Sequence, residues 1–145
     1  MDYPRTVFSQ AEEAEVLAAI RALERRTSGE IRIHVEHRLR RPPLDEAKRV
    51  FAALGMHRTA ERNGVLILLA PGQRAFAIFG DEGIDAVTDE DFWESTARAM
   101  RPHFARGAYV AGLVAGIREA GEALAAHFPY RDDDVNELPD DISYA

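Results

Sequence analysis

Residues 63–80 read Asn63-Gly64-Val65-Leu66-Ile67-Leu68-Leu69-Ala70-Pro71-Gly72-Gln73-Arg74-Ala75-Phe76-Ala77-Ile78-Phe79-Gly80. From Val65 to Ala70 no side chain is polar. A strand with one wet face alternates, so an unbroken apolar run of this length suits a central strand buried on both faces. Pro71-Gly72-Gln73 is a turn, and Arg74 to Phe79 reads as the returning, antiparallel strand of a hairpin. A strand covered on both sides needs helices above and below the sheet. The flanking sequence has to supply them.

It does. Upstream, Ser9 and Glu12 have capping-box spacing, and Val16, Leu17, Ile20 and Leu23 form one helical stripe. Thr27-Ser28-Gly29 ends that helix. Ile31, Ile33 and Val35 then alternate with Arg32, His34 and Glu36, the period of a half-buried strand that leaves His34 on a polar, exposed face. A second helix starts near Leu44, with Ala47, Val50, Phe51 and Leu54 on one face. Downstream, Thr88 and Asp91 have capping-box spacing ahead of a helix carrying Phe92, Trp93, Thr96 and Met100, which Pro102 ends or kinks. A last helix spans about Gly107 to His127. Its Gly112-x-x-x-Gly116 spacing lets it lie tight on the sheet.

Two strands joined through a helix are expected to be parallel. The fold class is therefore α/β, a mixed central sheet with helices on both faces. Residues 1–130 form one such domain, and 131–145 an irregular acidic tail.

Bulk composition narrows the function. The net charge is -7, which disfavours nucleic acid and anionic membrane as partners and favours cations or a basic protein partner. With no cysteine, disulfides, thiolate metal sites and cysteine nucleophiles are excluded. The first residues carry no secretory signal pattern, and Ala108 to Ala126 is too charged to span a bilayer, so a cytoplasmic setting is expected.

The topology gathers acids at one end of the sheet. The first two strands begin at Glu30 and Gly64, while the third ends near Gly80. Glu30, Asp81, Glu82, Asp85 and Asp89 would then share one neighbourhood, beside Arg62 and Asn63. Hard divalent cations take several oxygen ligands, so Ca²⁺, or Mg²⁺ in its place, is the expected ion. The spacing is not that of an EF-hand. Solvated loop acids that complement a helix N-terminus are the plain alternative. Arg62 and Asn63 could instead hold a phosphate or a partner. Arg38, Arg40 and Arg41, with Lys48 and Arg49, form the one basic patch, suited to phosphate or an acidic partner face. The tail acids Asp132, Asp133, Asp134, Glu137, Asp140 and Asp141 are a looser cation candidate. The histidines lack the i, i+4 pairing of a helical metal motif, and no serine lies in a nucleophile elbow.

Several phrases together resemble the TPM-domain family. They are Thr27-Ser28-Gly29-Glu30-Ile31-Arg32-Ile33-His34-Val35-Glu36, Arg62-Asn63-Gly64-Val65-Leu66, Phe76-Ala77-Ile78-Phe79-Gly80-Asp81-Glu82-Gly83-Ile84 and Asp91-Phe92-Trp93. The ending, from Phe128-Pro129 through Asn136-Glu137-Leu138-Pro139-Asp140-Asp141-Ile142, resembles a small stand-alone bacterial branch. The resemblance implies an α/β sandwich with a mixed sheet and calcium binding in acidic loops. Residues and resemblance together leave three readings: a cation-binding regulatory or interaction module, a weak metal-dependent acid phosphatase like that of thylakoid relatives, or a purely structural protein that binds a partner through the Arg38–Arg41 loop or the acidic tail. The resemblance carries over no catalytic residue.

Overall fold

The computed structural model describes residues 8–89, 91–130 and 142–145. The first half of the chain forms α1 (Gln10–Glu24), β1 (Glu30–Val35), α2 (Pro43–Ala53), β2 (Gly64–Ala70) and β3 (Ala75–Gly80). The second half forms the single turn α3 (Glu82–Asp85), then α4 (Phe92–Ala105), α5 (Tyr109–His127) and β4 (Ile142–Tyr144). The strands make one mixed sheet in the order β3-β2-β1-β4.

β2 is buried at every position, as its unbroken apolar run requires. It pairs in parallel with β1, Glu30 opposite Gly64 and Val35 opposite Leu69, and antiparallel with β3. Alternation along these strands divides the interior in two. Ile31, Ile33, Val65 and Ile67 pack against Val16 and Ile20 of α1, Met100 of α4, and Leu113 and Ile117 of α5. Leu66, Leu68 and Ala77 pack on the other side against Ala47, Val50 and Phe51 of α2. A large aliphatic side chain contributes about 1.5–3 kcal/mol when fully buried. β2 therefore anchors both layers.

Several local expectations change. His34 is only 4% exposed, because α2 closes the face that the alternation of β1 left polar; Glu46 and Arg49 come over it and make polar side chains tolerable there. Ile142–Tyr144 is a strand rather than part of an irregular tail, with Ile142 buried beside Ile33. The rest of the acidic tail, 131–141, including its six candidate acids, lies outside the described residues. Thr88 does not start α4. Its hydroxyl donates to the carbonyl of Ile84 and closes α3 instead. Pro102 sits inside α4 without ending it. The Gly112 and Gly116 spacing serves a helix pair, not the sheet. A Cβ on Gly112 would lie 2.3 Å from the Phe104 ring, and one on Gly116 2.5 Å from Met100 Sδ, so both glycines seat α5 on α4.

Candidate functional site

The acidic rim forms where β1 and β2 begin and β3 ends. Glu30 opens β1 opposite Gly64, and the Asp81 amide donates to the Gly64 carbonyl at 3.0 Å. The two acids thus flank a glycine from its two neighbouring strands, with backbones ~10 Å apart at two strand spacings. Both are buried, each 4% exposed. Glu30 and Asp81 thus lie at the same end of the sheet.

Arg62 stands among them. It adopts a left-handed backbone, φ +52, rare for a residue with a Cβ. Its Nε and Nη2 reach the two Asp81 oxygens at 2.8 and 2.9 Å, and Nη1 reaches Glu82 Oε1 at 3.0 Å. Asp81 Oδ1 also accepts the Glu82 amide and caps α3. The bidentate bond to Asp81 raises the pKa of the guanidinium. Arg62, which the sequence offered to a phosphate, is thereby spent on the rim's own carboxylates.

α3 is held against this segment at contact distance. The Gly83 amide donates to the Arg62 carbonyl at 2.9 Å, and a Cβ on Gly83 would lie 2.2 Å from the Glu61 carbonyl oxygen. Gly83 is there for that close approach.

Asn63 is 1% exposed. Its backbone accepts from Glu30 N–H, and its Nδ2 donates to Ser28 Oγ at 3.3 Å, which in turn donates to Glu61 at 3.4 Å. Asn63 Oδ1 is buried and has no hydrogen-bond partner among the described residues. Glu61 belongs to the rim and was missed in the sequence, where nothing distinguishes it from any acid before a turn. The side chains of Asp85 and Asp89 are exposed and form no hydrogen bond or ion pair with these groups, and Asp89 Oδ1 accepts the Asp91 amide instead. The rim proper is Glu30, Glu61, Asp81 and Glu82.

These groups offer only oxygen, and the orphaned Asn63 carbonyl is a ligand type hard cations use. In donor chemistry the residues fit such an ion. Their arrangement fits it only once Arg62 moves, since the guanidinium now occupies the charge centre. Among the described residues no three His, Asp or Glu side chains converge as a ligand set.

The opposite end of β1 holds a second polar cluster. His34 Nε2 is 3.1 Å from Glu36 Oε1 and its Nδ1 2.7 Å from Ser143 Oγ. Glu46, in the first turn of α2, accepts from Arg41 at 2.5 Å and from Arg49 at 2.8 Å on each oxygen. Burial lowers the His34 pKa to about 4. Burial and a hydrogen bond to Glu46 raise Glu36 to about 7, while Arg49 holds Glu46 far below the usual carboxylate range. The two carboxyls are thus pushed in opposite directions, Glu36 toward its protonated form and Glu46 toward its ionised form. The sequence carried one signal of this cluster, the acids Asp45 and Glu46 embedded in the basic run from Arg38 to Arg49.

A mixed four-stranded sheet between helical layers, with an acidic rim closed by α3, defines an α/β domain class. The sequence pattern of the TPM domain matches residues 2–123, and the chain belongs to that family. The BA42 protein of the psychrophilic bacterium Bizionia argentinensis is 43% identical, with 95% of each chain covered and a TM-score of 0.90. The N-terminal domain of a protein from P. gingivalis is 22% identical over 86% of this chain and 83% of its own, with a TM-score of 0.67. The N-terminal domain of cg2496 from Corynebacterium glutamicum is 14% identical over 90% and 81%, with a TM-score of 0.66. The last two show the fold alone. No protein with a curated description matches the sequence. No helix among the described residues is long and apolar enough to cross a membrane.

Proposed function

We propose that this TPM domain is a regulatory binding module whose acidic rim takes a divalent cation, calcium or magnesium, in exchange for the Arg62 guanidinium. The observation that supports this most is Asn63 Oδ1, a buried carbonyl oxygen at the rim with no partner among the described residues. Leaving such a group unsatisfied costs about 1–3 kcal/mol, and an ion would recover it. Glu30, Asp81 and Glu82 would supply the charge. The absence of sulfur and nitrogen donors suits calcium or magnesium over zinc.

Arg62 already does part of the ion's electrostatic work, so binding must displace it. Two consequences follow. Affinity is modest, and the released guanidinium becomes available to a partner. The cation would thus tie β1, the 61–63 segment and α3 together while presenting a new positive charge at the surface.

Calcium titrations followed by calorimetry and thermal melting test this. An ion at a hundredfold excess over Kd stabilises by about 2.7 kcal/mol. The wild-type melt should shift at millimolar calcium or magnesium, Arg62→Ala should bind more tightly, and Asp81→Asn should not bind. No shift in either the wild type or Arg62→Ala would overturn the reading.

A further inference from the structure

The cleft at the carboxyl end of β1 is unused by the rim chemistry. It has a volume of about 640 Å³ and lies where β1 and β4, parallel neighbours, both run out. Crevices outside the carboxyl ends of parallel strands are where open α/β sheets bind ligands. Arg38, Arg40, Arg41 and Arg49 line it, over the carboxyls of Glu36 and Glu46.

The charges do not balance. Glu46 holds Arg41 and Arg49. Arg38 and Arg40 are exposed and form no hydrogen bond or ion pair with a described residue. Among the described residues four guanidiniums therefore face the carboxyls of Glu36 and Glu46 and the terminal carboxylate of Ala145, which also lines the cleft. Burial and Glu46 raise Glu36 to about 7, so the balance is positive below neutrality. In a chain of net charge -7, a concave site with a local positive excess attracts an anion against the overall field. That field and the concavity favour a small anion over a long polyanion. Guanidinium groups bind oxyanions in bidentate geometry, which lysines would not do.

We propose that this cleft binds a small doubly charged oxyanion, either a phosphomonoester or a dicarboxylate, between Arg38 and Arg40, with Arg41 and Arg49 turning from Glu46 to the ligand. Once they turn, Glu46 loses its compensation, and the Glu36–Glu46 pair must keep its proton to avoid two adjacent negative charges beside the anion. Affinity then falls as pH rises through neutrality. The groups facing the pair are His34 and Arg32 from β1, Ser143 from β4 and the terminal carboxylate of Ala145 after it, Arg49 from α2, and His37, Arg38, Arg40 and Arg41 from the loop. His34 stays neutral above about pH 4. Imidazoles as a class change charge near neutrality, so His37→Gln is the control.

Calorimetric titration of the full chain with sulfate tests the site, because sulfate stays a dianion throughout the range used. Phosphate and succinate, at constant ionic strength, separate the two ligand sources by which binds more tightly. Sulfate should bind saturably, and Arg38→Ala with Arg40→Ala should weaken it about tenfold or more, both residues being exposed and outside the packing. The wild type and His37→Gln should lose affinity with rising pH, while Glu36→Gln should bind with no such slope. Three results each overturn the proposal: no saturable heat from any of the three anions at tens of millimolar, equal binding by the double arginine variant, or an unchanged pH slope in Glu36→Gln. The rim plays no part in this binding, so Asp81→Asn should leave it intact.

Discussion

His34 and Glu36 touch at 3.1 Å and titrate in opposite senses. His34 falls from 6.5 to about 4, so between those values the unfolded chain binds the extra proton and stability rises with pH. Glu36 rises from 4.5 to about 7, so there the folded chain binds it and stability falls with pH. The two trends oppose each other over most of their range. Wild-type stability should be nearly flat between about pH 5 and 6.5. Glu36→Gln removes the falling term and leaves the rise of His34, at most about 1.4 kcal/mol per pH unit. Urea unfolding midpoints across that window check this, and a variant as flat as the wild type would contradict it. Neither shift was legible in the sequence. The alternation of β1 placed His34 correctly on its second face but could not show that α2 brings Glu46 and Arg49 over it.

Among the elements, α3 is the piece that holds the rim together, and Gly83 sets its distance. Gly83→Ala gains ~1 kcal/mol of helix propensity. Its Cβ would sit 2.2 Å from the Glu61 carbonyl and 2.6 Å from that of Arg62, both backbone atoms that cannot step aside. Overpacking of this kind costs about 1–3 kcal/mol, so the steric term wins. Chemical unfolding should show net destabilisation; a neutral or stabilised variant would mean that α3 is not seated as described. β4 makes a separate prediction. Ile142 is 4% exposed, and Ile142→Ala should cost about 2–5 kcal/mol if the strand is part of the core. A cost within experimental error would return 142–144 to a loose tail. The helices and β1 to β3 were readable because each repeats its own period over many residues. β4 has only three residues, too few for any period to show, and its place is set by pairing with a strand more than a hundred residues upstream.

At the scale of the molecule, β2 ties two hydrophobic layers into one unit. Trp93 reports on the layer of α1, α4 and α5, through its contact with the Gly80 backbone. Far-UV circular dichroism reports on the helices of both faces. The two signals should follow one unfolding transition, and separated midpoints would show that α2 and its layer unfold alone. The topology also made legible that Glu30 and Asp81 lie at one end of the sheet, since parallel β1 and β2 begin there and antiparallel β3 ends there. What the sequence hid was Arg62. Its left-handed backbone and its pair with Asp81, nineteen positions on, depend on a tertiary approach that no local pattern records. The central claim concerns the rim that Arg62 now occupies. Its most direct test is an NMR titration of the ¹⁵N-labelled chain with calcium and magnesium, following the side-chain amide of Asn63. The account predicts that this resonance shifts saturably, together with the amides of Glu30 and of Asp81 to Gly83. If either ion moves only the exposed Asp85 and Asp89, or nothing at all, the rim is not a cation site.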